Sequence, residues 1–446
     1  MTAFAASLVT LDPGHFHAAL VQRRACPEFG LTAKVFAPDG PELDAHLRLV
    51  ESFNARAERP TAWNEEVCRD PDFLARFVAA AKAGKLGENP VVVLAGRNDR
   101  KPDYALAAVE AGCHVLADKP LAITSEAFEK TARAVRLARE RGLRFADVMT
   151  ERYEITAILQ RELSQDRELY GEQDPGTPED PSVVEESVHH FCKLVNGNPL
   201  RRPEWYYDTA VQGEGIADVT THLVDLVQWQ TFPGVRLAAS DVEVLSARTW
   251  PTRITPEQFR MSTGGVRAAA FDCAANGAFT WRLRGVCCRV SVAWDFMAAE
   301  GAGDTHRSLM RGTQAELVVE QGAREGYRPV LYVKARGDVA ATERALAAAL
   351  ARMSAERPGV TAAPTDTAGV WRIAYPKAYD IGHEAHFERV VRAYLDALKS
   401  GASDRTETDN LLVKYHTIVE AWKLAHGVSQ GSNPRNPIKK GVTPVA

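Results

Sequence analysis

Two groups of residues that lie far apart in the sequence carry side chains suited to proton transfer. Lys119 directly follows a short apolar run, and Asp218 and His222 lie four residues apart in the segment from Ile216 to Trp229. The apolar residues of that segment recur at helical spacing, so both polar side chains are expected on another helix face. A lysine at a strand end and a carboxylate–imidazole pair on a helix can meet in a cleft. We predict that Lys119, Asp218 and His222 are catalytic and that a nicotinamide carries the electrons.

The apolar pattern of residues 1–150 predicts the elements that position Lys119. Runs of strand length alternate with helical segments, and most runs are apolar at nearly every position, as in strands buried on both faces of a parallel sheet. Thr124 and Gly142 have the residue types that begin and end a helix. The pattern predicts a doubly wound α/β domain. The runs are Ser7–Leu11, Ala33–Ala37, Val91–Ala95, Cys113–Ala117 and Leu143–Val148.

From Glu151 onward the pattern changes to alternating segments, which indicate a large, mostly antiparallel sheet with one open face. We therefore predict a C-terminal α+β domain over residues 151–446, with a last helix at about 408–425 that packs back on the first domain. An open sheet face needs a cover, so we expect a homodimer or homotetramer, which sedimentation tests. The segments are Ser182–Val188, Val242–Ser246, Ala268–Cys273, Ala278–Leu283, Cys288–Ala293 and Ala315–Val319.

Composition excludes several classes of protein. The 446 residues are 45% hydrophobic and 25% charged, the profile of a globular protein with more than one core. A net charge of -4 gives no electrostatic case for nucleic acid or acidic membranes, and no apolar run is long enough to span a bilayer. The seven cysteines contain no CxxC pair, and the N-terminus lacks a basic segment, so we expect a cytoplasmic protein.

Ligands of a doubly wound sheet bind beyond the carboxyl ends of its strands. A dinucleotide-binding turn usually contains G-x-G-x-x-G after the first strand, whereas this chain offers Gly14 alone. A helix N-terminus in that turn still presents N–H groups to a phosphate. The predicted cofactor-binding residues are therefore Gly14, His15, Phe16, His17, Asp39, Gly96, Arg97, Asn98, Asp118, Lys119 and Pro120.

Two of these assignments have equally simple alternatives. His15 and His17 either contact a phosphate or substrate, or belong to an ordinary surface turn. Asp39 either binds both ribose hydroxyls, which would favour NAD over NADP, or is a turn aspartate between Pro38 and Gly40.

The residues resemble those of the Gfo/Idh/MocA family of NAD(P)-dependent oxidoreductases over nearly the whole chain. The family's E-K-P motif has its counterpart in Asp118-Lys119-Pro120, and its G-G-x-x-x-D-x-x-x-H motif in the segment from Gly213 to His222. The W-x-x-D motif that precedes it is similar to the segment from Trp205 to Asp208. The resemblance implies a Rossmann-type first domain, NAD or NADP as the cofactor with NAD slightly favoured, and a sugar-like substrate.

The chain departs from the family pattern at several positions. The glycine fingerprint is missing, Asp118 replaces the usual glutamate, and Glu214 replaces the second glycine of the later motif. Lys101 stands where the family usually has a histidine after Asn98. The phosphate contacts and the substrate are therefore the features least transferable from the family.

Further residues are predicted to bind the substrate. Arg152 matches a frequent arginine of the family, and His190 and Lys193 end a predicted strand, where they either line the sugar site or make ordinary strand-end hydrogen bonds. Trp205 and Tyr206 either stack on a sugar ring or pack in the core, and His386 is a further candidate. No metal is expected, because His383-Glu-Ala-His386 is one residue short of H-E-x-x-H.

These residues suggest three functions. In the first, His222 removes a hydroxyl proton, Lys119 stabilises the alkoxide, and hydride passes between nicotinamide and a sugar, glycoside or cyclitol carbon. Asp218 would hold a neighbouring hydroxyl or orient His222. The second function is redox-neutral, with a retained NAD that enables glycoside cleavage or epimerisation. The third is a non-catalytic protein that binds a sugar or nucleotide. Net nicotinamide absorbance change and cofactor titration distinguish the three.

Overall fold

The computed structural model describes residues 4–195, 198–199, 201–401 and 405–428. The start of the first predicted domain, residues 1–3, and the end of the second, residues 429–446, lie outside the described residues. Six parallel strands form the first sheet in the order β3-β2-β1-β4-β5-β6. This order is that of a doubly wound sheet and confirms the predicted fold class. The strands are β1 (Ser7–Leu11), β2 (Thr32–Ala37), β3 (Asn64–Arg69), β4 (Pro90–Leu94), β5 (His114–Asp118) and β6 (Phe145–Val148).

Five of these strands lie where the apolar runs predicted them, but β3 was not predicted. Its sequence, Asn-Glu-Glu-Val-Cys-Arg, contains no apolar run because it is the edge strand and none of its residues is fully buried. The helix predicted between Thr124 and Gly142 is confirmed as α5, and the Thr124 side chain accepts a hydrogen bond from the Ala127 amide. They are α1 (His17–Leu20), α2 (Pro41–Ala55), α3 (Phe73–Lys82), α4 (Lys101–Glu110) and α5 (Ser125–Glu140).

The second sheet has nine strands, and most neighbouring pairs are antiparallel. An inner strand, β7, is antiparallel to β13 and parallel to β12. The strands are β7 (Val183–Cys192), β10 (Val242–Ile254), β11 (Phe271–Leu283), β12 (Val286–Met297), β13 (Thr305–Arg311), β14 (Ala315–Gln321), β15 (Val330–Ala335), β16 (Thr361–Pro364) and β17 (Val370–Ala374), while β8 (Leu194–Val195) and β9 (Asn198–Pro199) form a separate pair.

Two sequence expectations for this sheet were wrong in detail. The segment predicted at Ala278–Leu283 and the last three residues of the one predicted at Ala268–Cys273 belong to one continuous strand, β11, because the residues between them keep the ladder with β10 across an irregularity. Strand β13 was not predicted, since Thr-His-Arg-Ser precedes its few apolar residues.

Helices join the two sheets into one continuous core. One face of the second sheet is covered by α6 (Ile155–Ser164) and α8 (Thr220–Thr231), and α12 (Arg405–Ala425) contacts β10 as well as α5 and β6 of the first half. The helix α11 (His383–Ser400) packs its apolar side against the first sheet. The remaining helices are α7 (Thr209–Gln212), α9 (Pro256–Thr263) and α10 (Val339–Met353).

The sequence predicted that Asp218 lies on a helix, but the structure places it outside one. Helix α8 begins at Thr220, and Asp218 lies in the preceding turn, where its amide donates to the Glu214 carbonyl. His222 remains in the first turn of α8. The two residues still lie close together because the turn leads directly into the helix.

Within the described residues, none of the helices combines the length and the apolar character needed to cross a membrane. All seven cysteines are free thiols, and six of them are buried. The cysteines are therefore core residues in this fold.

Candidate active site

The carboxyl ends of β1, β4 and β5 open onto a cavity of about 470 Å³, which the second sheet and helices α8 and α11 close from the other side. This cavity brings together residues that the sequence places in both halves of the chain. The predicted site residues in its lining are His15, Phe16, His17, Gly96, Asn98, Asp118, Lys119, Lys193, Trp205, Tyr206, Asp218, His222 and His386.

Lys119 and Asp218 meet directly in this cavity. The Lys119 Nζ donates a hydrogen bond to Asp218 Oδ1 at 2.7 Å, and both side chains are about nine-tenths buried. Burial alone would raise the pKa of Asp218, but the ammonium of Lys119 lowers it below its usual value. The Lys119 backbone is held in place because the Lys101 Nζ donates to the carbonyls of Asp118 and Lys119. The Asp218 carboxylate and the Lys119 side chain are therefore held together at the cavity wall.

His222 lines the same cavity, and its imidazole has a strongly lowered pKa. Burial and the nearby Lys119 ammonium lower the pKa of His222 to about 3, well below the near-neutral value that the sequence suggested. Its Nδ1 is buried without a hydrogen-bond partner among the described residues. At neutral pH the imidazole is therefore uncharged, with a nitrogen available to a ligand.

The turn after β1 differs from a glycine-rich cradle. The amides of Gly14 and His15 both donate to the Ala95 carbonyl, at 3.1 and 3.0 Å, so they are not directed at a ligand. A Cβ on Gly96 would lie 2.3 Å from the Asp12 carbonyl oxygen, and only glycine allows this close approach of the two turns. The imidazoles of His15 and His17 instead point toward Asp118, with His17 Nδ1 2.9 Å from Asp118 Oδ2.

A second polar group lies at the end of β7, and the sequence did not identify its central residue. Asp304 accepts contacts from Nδ1 of His189 at 3.2 Å and Nδ1 of His190 at 2.9 Å, and from the Lys193 Nζ. Burial would raise the pKa of Asp304, but His189 and Lys193 lower it. His189 and Lys193 line the cavity, whereas His190 lies outside its lining. The glycines Gly301 and Gly303 just before Asp304 mark a loop, which was the only available signal.

The far end of the cavity is rich in histidines around Glu151, and the sequence pointed only to His386 there. His383 Nδ1 lies 3.6 Å from Glu151 Oε1, and the His386 Nδ1 is buried without a partner among the described residues. Burial lowers the pKa of His386 and of His306 to about 4, so both imidazoles are neutral. Burial raises the pKa of Glu154 to about 7. This end therefore places neutral imidazoles around the Glu151 carboxylate, whose pKa is lowered by the neighbouring histidines against the effect of burial.

Arg152 was predicted to bind substrate, but its side chain does not reach the cavity. Its guanidinium makes a bidentate contact with Asp225 at 2.6 and 2.8 Å and a further contact with Glu407 at 2.8 Å. Burial would lower the pKa of Arg152, but these carboxylates raise it, so the side chain stays charged and held by its partners. Arg152 thus ties the start of the second domain to α8 and α12 instead of facing a substrate.

Four other predicted residues also lie outside the cavity lining. The Asp39 side chain is 78% exposed and pairs with Arg69, and Arg97 pairs with Asp99 at 3.3 Å. Gly14 packs against the second turn, where a Cβ on it would lie 3.3 Å from the Gly96 Cα, and Pro120 follows Lys119 through a cis peptide bond. Asp39 and Arg69 lie at the ends of β2 and β3, the edge of the sheet where an adenosine ribose would be expected.

The donor set at the strand ends fits the nicotinamide end of a dinucleotide. Lys119 and Asn98 line the cavity with an ammonium and an amide, and such groups pair with ribose hydroxyls and a carboxamide. The unpartnered buried Nδ1 of His222 faces the same cavity. The amides of Gly14 and His15 are already engaged with the Ala95 carbonyl, so they are not donors for a pyrophosphate.

Known protein families match most of the chain. Residues 159–426 match the family described as "Putative oxidoreductase C terminal domain", and residues 82–149 match "Oxidoreductase family, NAD-binding Rossmann fold", the GFO_IDH_MocA family. A solved structure described as a "putative oxidoreductase" from Parabacteroides merdae ATCC 43184 is 44% identical, with a TM-score of 0.91, and the match covers 95% of this chain and 98% of that chain. No protein with a curated description matches significantly.

More distant structures share the fold. A levoglucosan dehydrogenase in complex with NADH and levoglucosan is 16% identical with a TM-score of 0.59, and covers 95% of this chain and 98% of its own. KijD10, a 3-ketoreductase from Actinomadura kijaniata in complex with NADP and TDP-benzene, is 16% identical with a TM-score of 0.58, and covers 94% and 97%. At this identity the likeness concerns the fold alone. With both family matches and the 44% identical relative, the chain belongs to the Gfo/Idh/MocA family of oxidoreductases.

Proposed function

We propose that this oxidoreductase transfers hydride between NAD or NADP and a hydroxyl-bearing carbon of a sugar, glycoside or cyclitol. The observation that carries the proposal is the arrangement of Lys119, Asp218 and His222: an ion pair of 2.7 Å beside a neutral, buried imidazole in one cavity. When bound, the nicotinamide supplies hydride donor and acceptor chemistry.

The three side chains have separate tasks in this proposal. His222 is neutral at physiological pH, and its unpartnered Nδ1 is the atom that accepts the proton of a substrate hydroxyl. The Lys119 ammonium stabilises the negative charge that develops on the same oxygen. Asp218 positions Lys119 through the 2.7 Å hydrogen bond, whereas the sequence suggested contacts with a hydroxyl or with His222. Asp218 therefore acts through Lys119.

The lining of the cavity supports a polyhydroxylated substrate. Neutral imidazoles, the Gln212 amide and the Lys193–Asp304 pair offer many donors and acceptors, and Trp205 and Tyr206 offer ring faces and edges. Two structures of the same fold are described as a levoglucosan dehydrogenase and a 3-ketoreductase, which is consistent with this substrate class.

The test is a panel of sugars, glycosides and cyclitols with NAD⁺ or NADP⁺, followed by the absorbance of reduced nicotinamide. With the best substrate, Lys119→Ala and His222→Ala should each lower turnover by about two or more orders of magnitude, the usual effect of losing acid–base assistance. His416→Ala, on α12 outside the cavity, is the matched control and should keep the wild-type rate. Near-wild-type rates in both cavity variants would contradict the assignment.

The same experiment separates the redox-neutral alternative. If substrate is consumed without net nicotinamide reduction and denaturation releases NAD, the reaction uses transient rather than net oxidation of the substrate. If no substrate is turned over and no cofactor binds, the result would favour a non-catalytic binding protein. Binding of NAD⁺ and NADP⁺ should be compared directly, because Asp39 favours a ribose hydroxyl and its neighbour Arg69 favours a 2′-phosphate.

A further inference from the structure

Three metal-ligand side chains converge beside the turn after β1. His17 Nδ1 lies 2.9 Å and His15 Nδ1 lies 3.8 Å from the same atom, Asp118 Oδ2. The possible ligand atoms of His15, His17 and Asp118 all lie within 4.8 Å of one another. This convergence was not expected, because Asp118 is 101 positions from His17 in the sequence.

One of these contacts is not a satisfactory hydrogen bond. The His17 amide donates to His15 Nδ1 at 3.5 Å, so that nitrogen serves as an acceptor. It nevertheless faces Asp118 Oδ2, which is also an acceptor, at 3.8 Å. A cation between two acceptors removes their repulsion. An imidazole nitrogen and a carboxylate oxygen that share a first-row cation, with bonds of about 2.0–2.2 Å, lie roughly 3–3.6 Å apart, and the observed distances bracket that range.

The surroundings are those of a prepared site. The Asp118 side chain is 8% exposed and the His17 side chain is 12% exposed, so few water molecules compete for them. Lys101 holds the Asp118 carbonyl at 2.8 Å, and the Phe387 ring packs on His17 with centroids 4.6 Å apart. The neighbouring Lys119 ammonium is already paired with Asp218, which limits its repulsion of a cation. Restraint of this kind orients ligands before a metal binds.

We propose that His15, His17 and Asp118 form a binding site for a divalent first-row transition-metal ion, with open coordination positions that face the cavity. Two imidazoles and one carboxylate are a donor set that suits Zn²⁺, Fe²⁺, Co²⁺ or Mn²⁺, and three protein ligands leave positions for an external oxygen. All three residues line the cavity of the candidate active site. The ion places positive charge where the amides of Gly14 and His15 are engaged with Ala95.

The experiment uses the full-length protein and does not depend on activity. Metal content of the purified protein is measured, and chelator-treated protein is titrated with Co²⁺ while its visible absorption is followed. We expect about one Co²⁺ per chain, displaced by Zn²⁺, and a rise in unfolding temperature with Co²⁺ because the ion binds the folded state. His17→Gln and His15→Gln should each weaken binding by more than about tenfold, since even outer contacts contribute that much. His416→Gln is the matched control.

Two outcomes would overturn the proposal. One is a wild-type protein that binds no stoichiometric Co²⁺ or Zn²⁺, and the other is equal binding by both histidine variants and the control. If the variants do not fold, as judged by circular dichroism, X-ray absorption spectra of the Co²⁺-loaded wild-type protein decide the question. Scattering from two imidazoles supports the site, and the absence of imidazole scattering rejects it.

Discussion

Glu185 shows at the scale of a single residue how burial sets charge state. It lies fully buried on β7, and burial raises its pKa to about 8 although the Ser308 hydroxyl donates to Oε1 at 2.7 Å. A carboxyl group whose folded pKa exceeds its unfolded value stabilises the folded state below the unfolded pKa. That stabilisation is lost as pH rises through the folded pKa. We therefore expect the free energy of unfolding to fall between about pH 5 and about pH 8, by about 1.4 kcal/mol per unit of displaced pKa at most.

The variant that tests this is Glu185→Gln, which keeps the hydrogen bond from Ser308 and cannot ionise. Its unfolding temperature should exceed that of the wild type above about pH 8 and should vary less with pH. Glu186→Gln, the half-buried neighbour on the same strand, is the control and should leave the pH dependence unchanged. Equal pH slopes in Glu185→Gln and the wild type would refute the raised pKa.

At the scale of elements, the turn that carries Asp218 lies directly against strand β11. A Cβ on Gly215 would lie 1.9 Å from the Ala275 carbonyl oxygen, and a Cβ on Gly277 would lie 2.6 Å from the Ile216 amide nitrogen. Neither side of this contact can therefore accept a side chain. We expect Gly215→Ala to lower the free energy of unfolding by about 1–3 kcal/mol and to reduce turnover, because the turn must move and displace Asp218 from Lys119.

Thermal unfolding and steady-state kinetics measure these two effects. Gly337→Ala is the matched control, because a Cβ there meets no atom of the described residues within 4 Å. A Gly215→Ala protein with the unfolding temperature and turnover of the wild type would show that the contact does not position Asp218.

At the scale of the whole molecule, a buried charge cluster joins the two halves. Lys414 on α12 is 1% exposed and donates to Asp147 of β6 and Asp225 of α8, each at 2.8 Å, while Arg152 binds the other side of Asp225. Removing one member leaves a buried charge without compensation. We expect Lys414→Met to lower the free energy of unfolding by about 3–5 kcal/mol, measured by denaturant unfolding.

The comparison for this prediction is Lys85→Met, at an exposed position, which should change stability by no more than about 0.5 kcal/mol. Equal stability of the two variants would mean that the cluster does not join the halves. The cluster also explains why Arg152 is not free to bind substrate: its guanidinium completes the neutralisation of Asp225.

Elements whose character is local could be predicted from the order of residue types. The five apolar runs of the first sheet marked β1, β2, β4, β5 and β6 because strands buried on both faces must be apolar throughout. The edge strand β3 and the polar start of β13 were not predicted, because partly exposed strands lack a continuous apolar run. Residue type and motif spacing were also enough to select Lys119, Asp218 and His222.

The tertiary structure alone decided how those residues behave. Asp218 bonds to a lysine 99 positions away, Asp304 gathers His189, His190 and Lys193, and His15 and His17 meet Asp118 across two strand ends. The low pKa of His222 and the high pKa of Glu185 follow from burial, which depends on how distant elements pack. A sequence shows periodicity and residue type over short distances, whereas contacts, desolvation and charge come from the packing of segments that the chain itself keeps far apart.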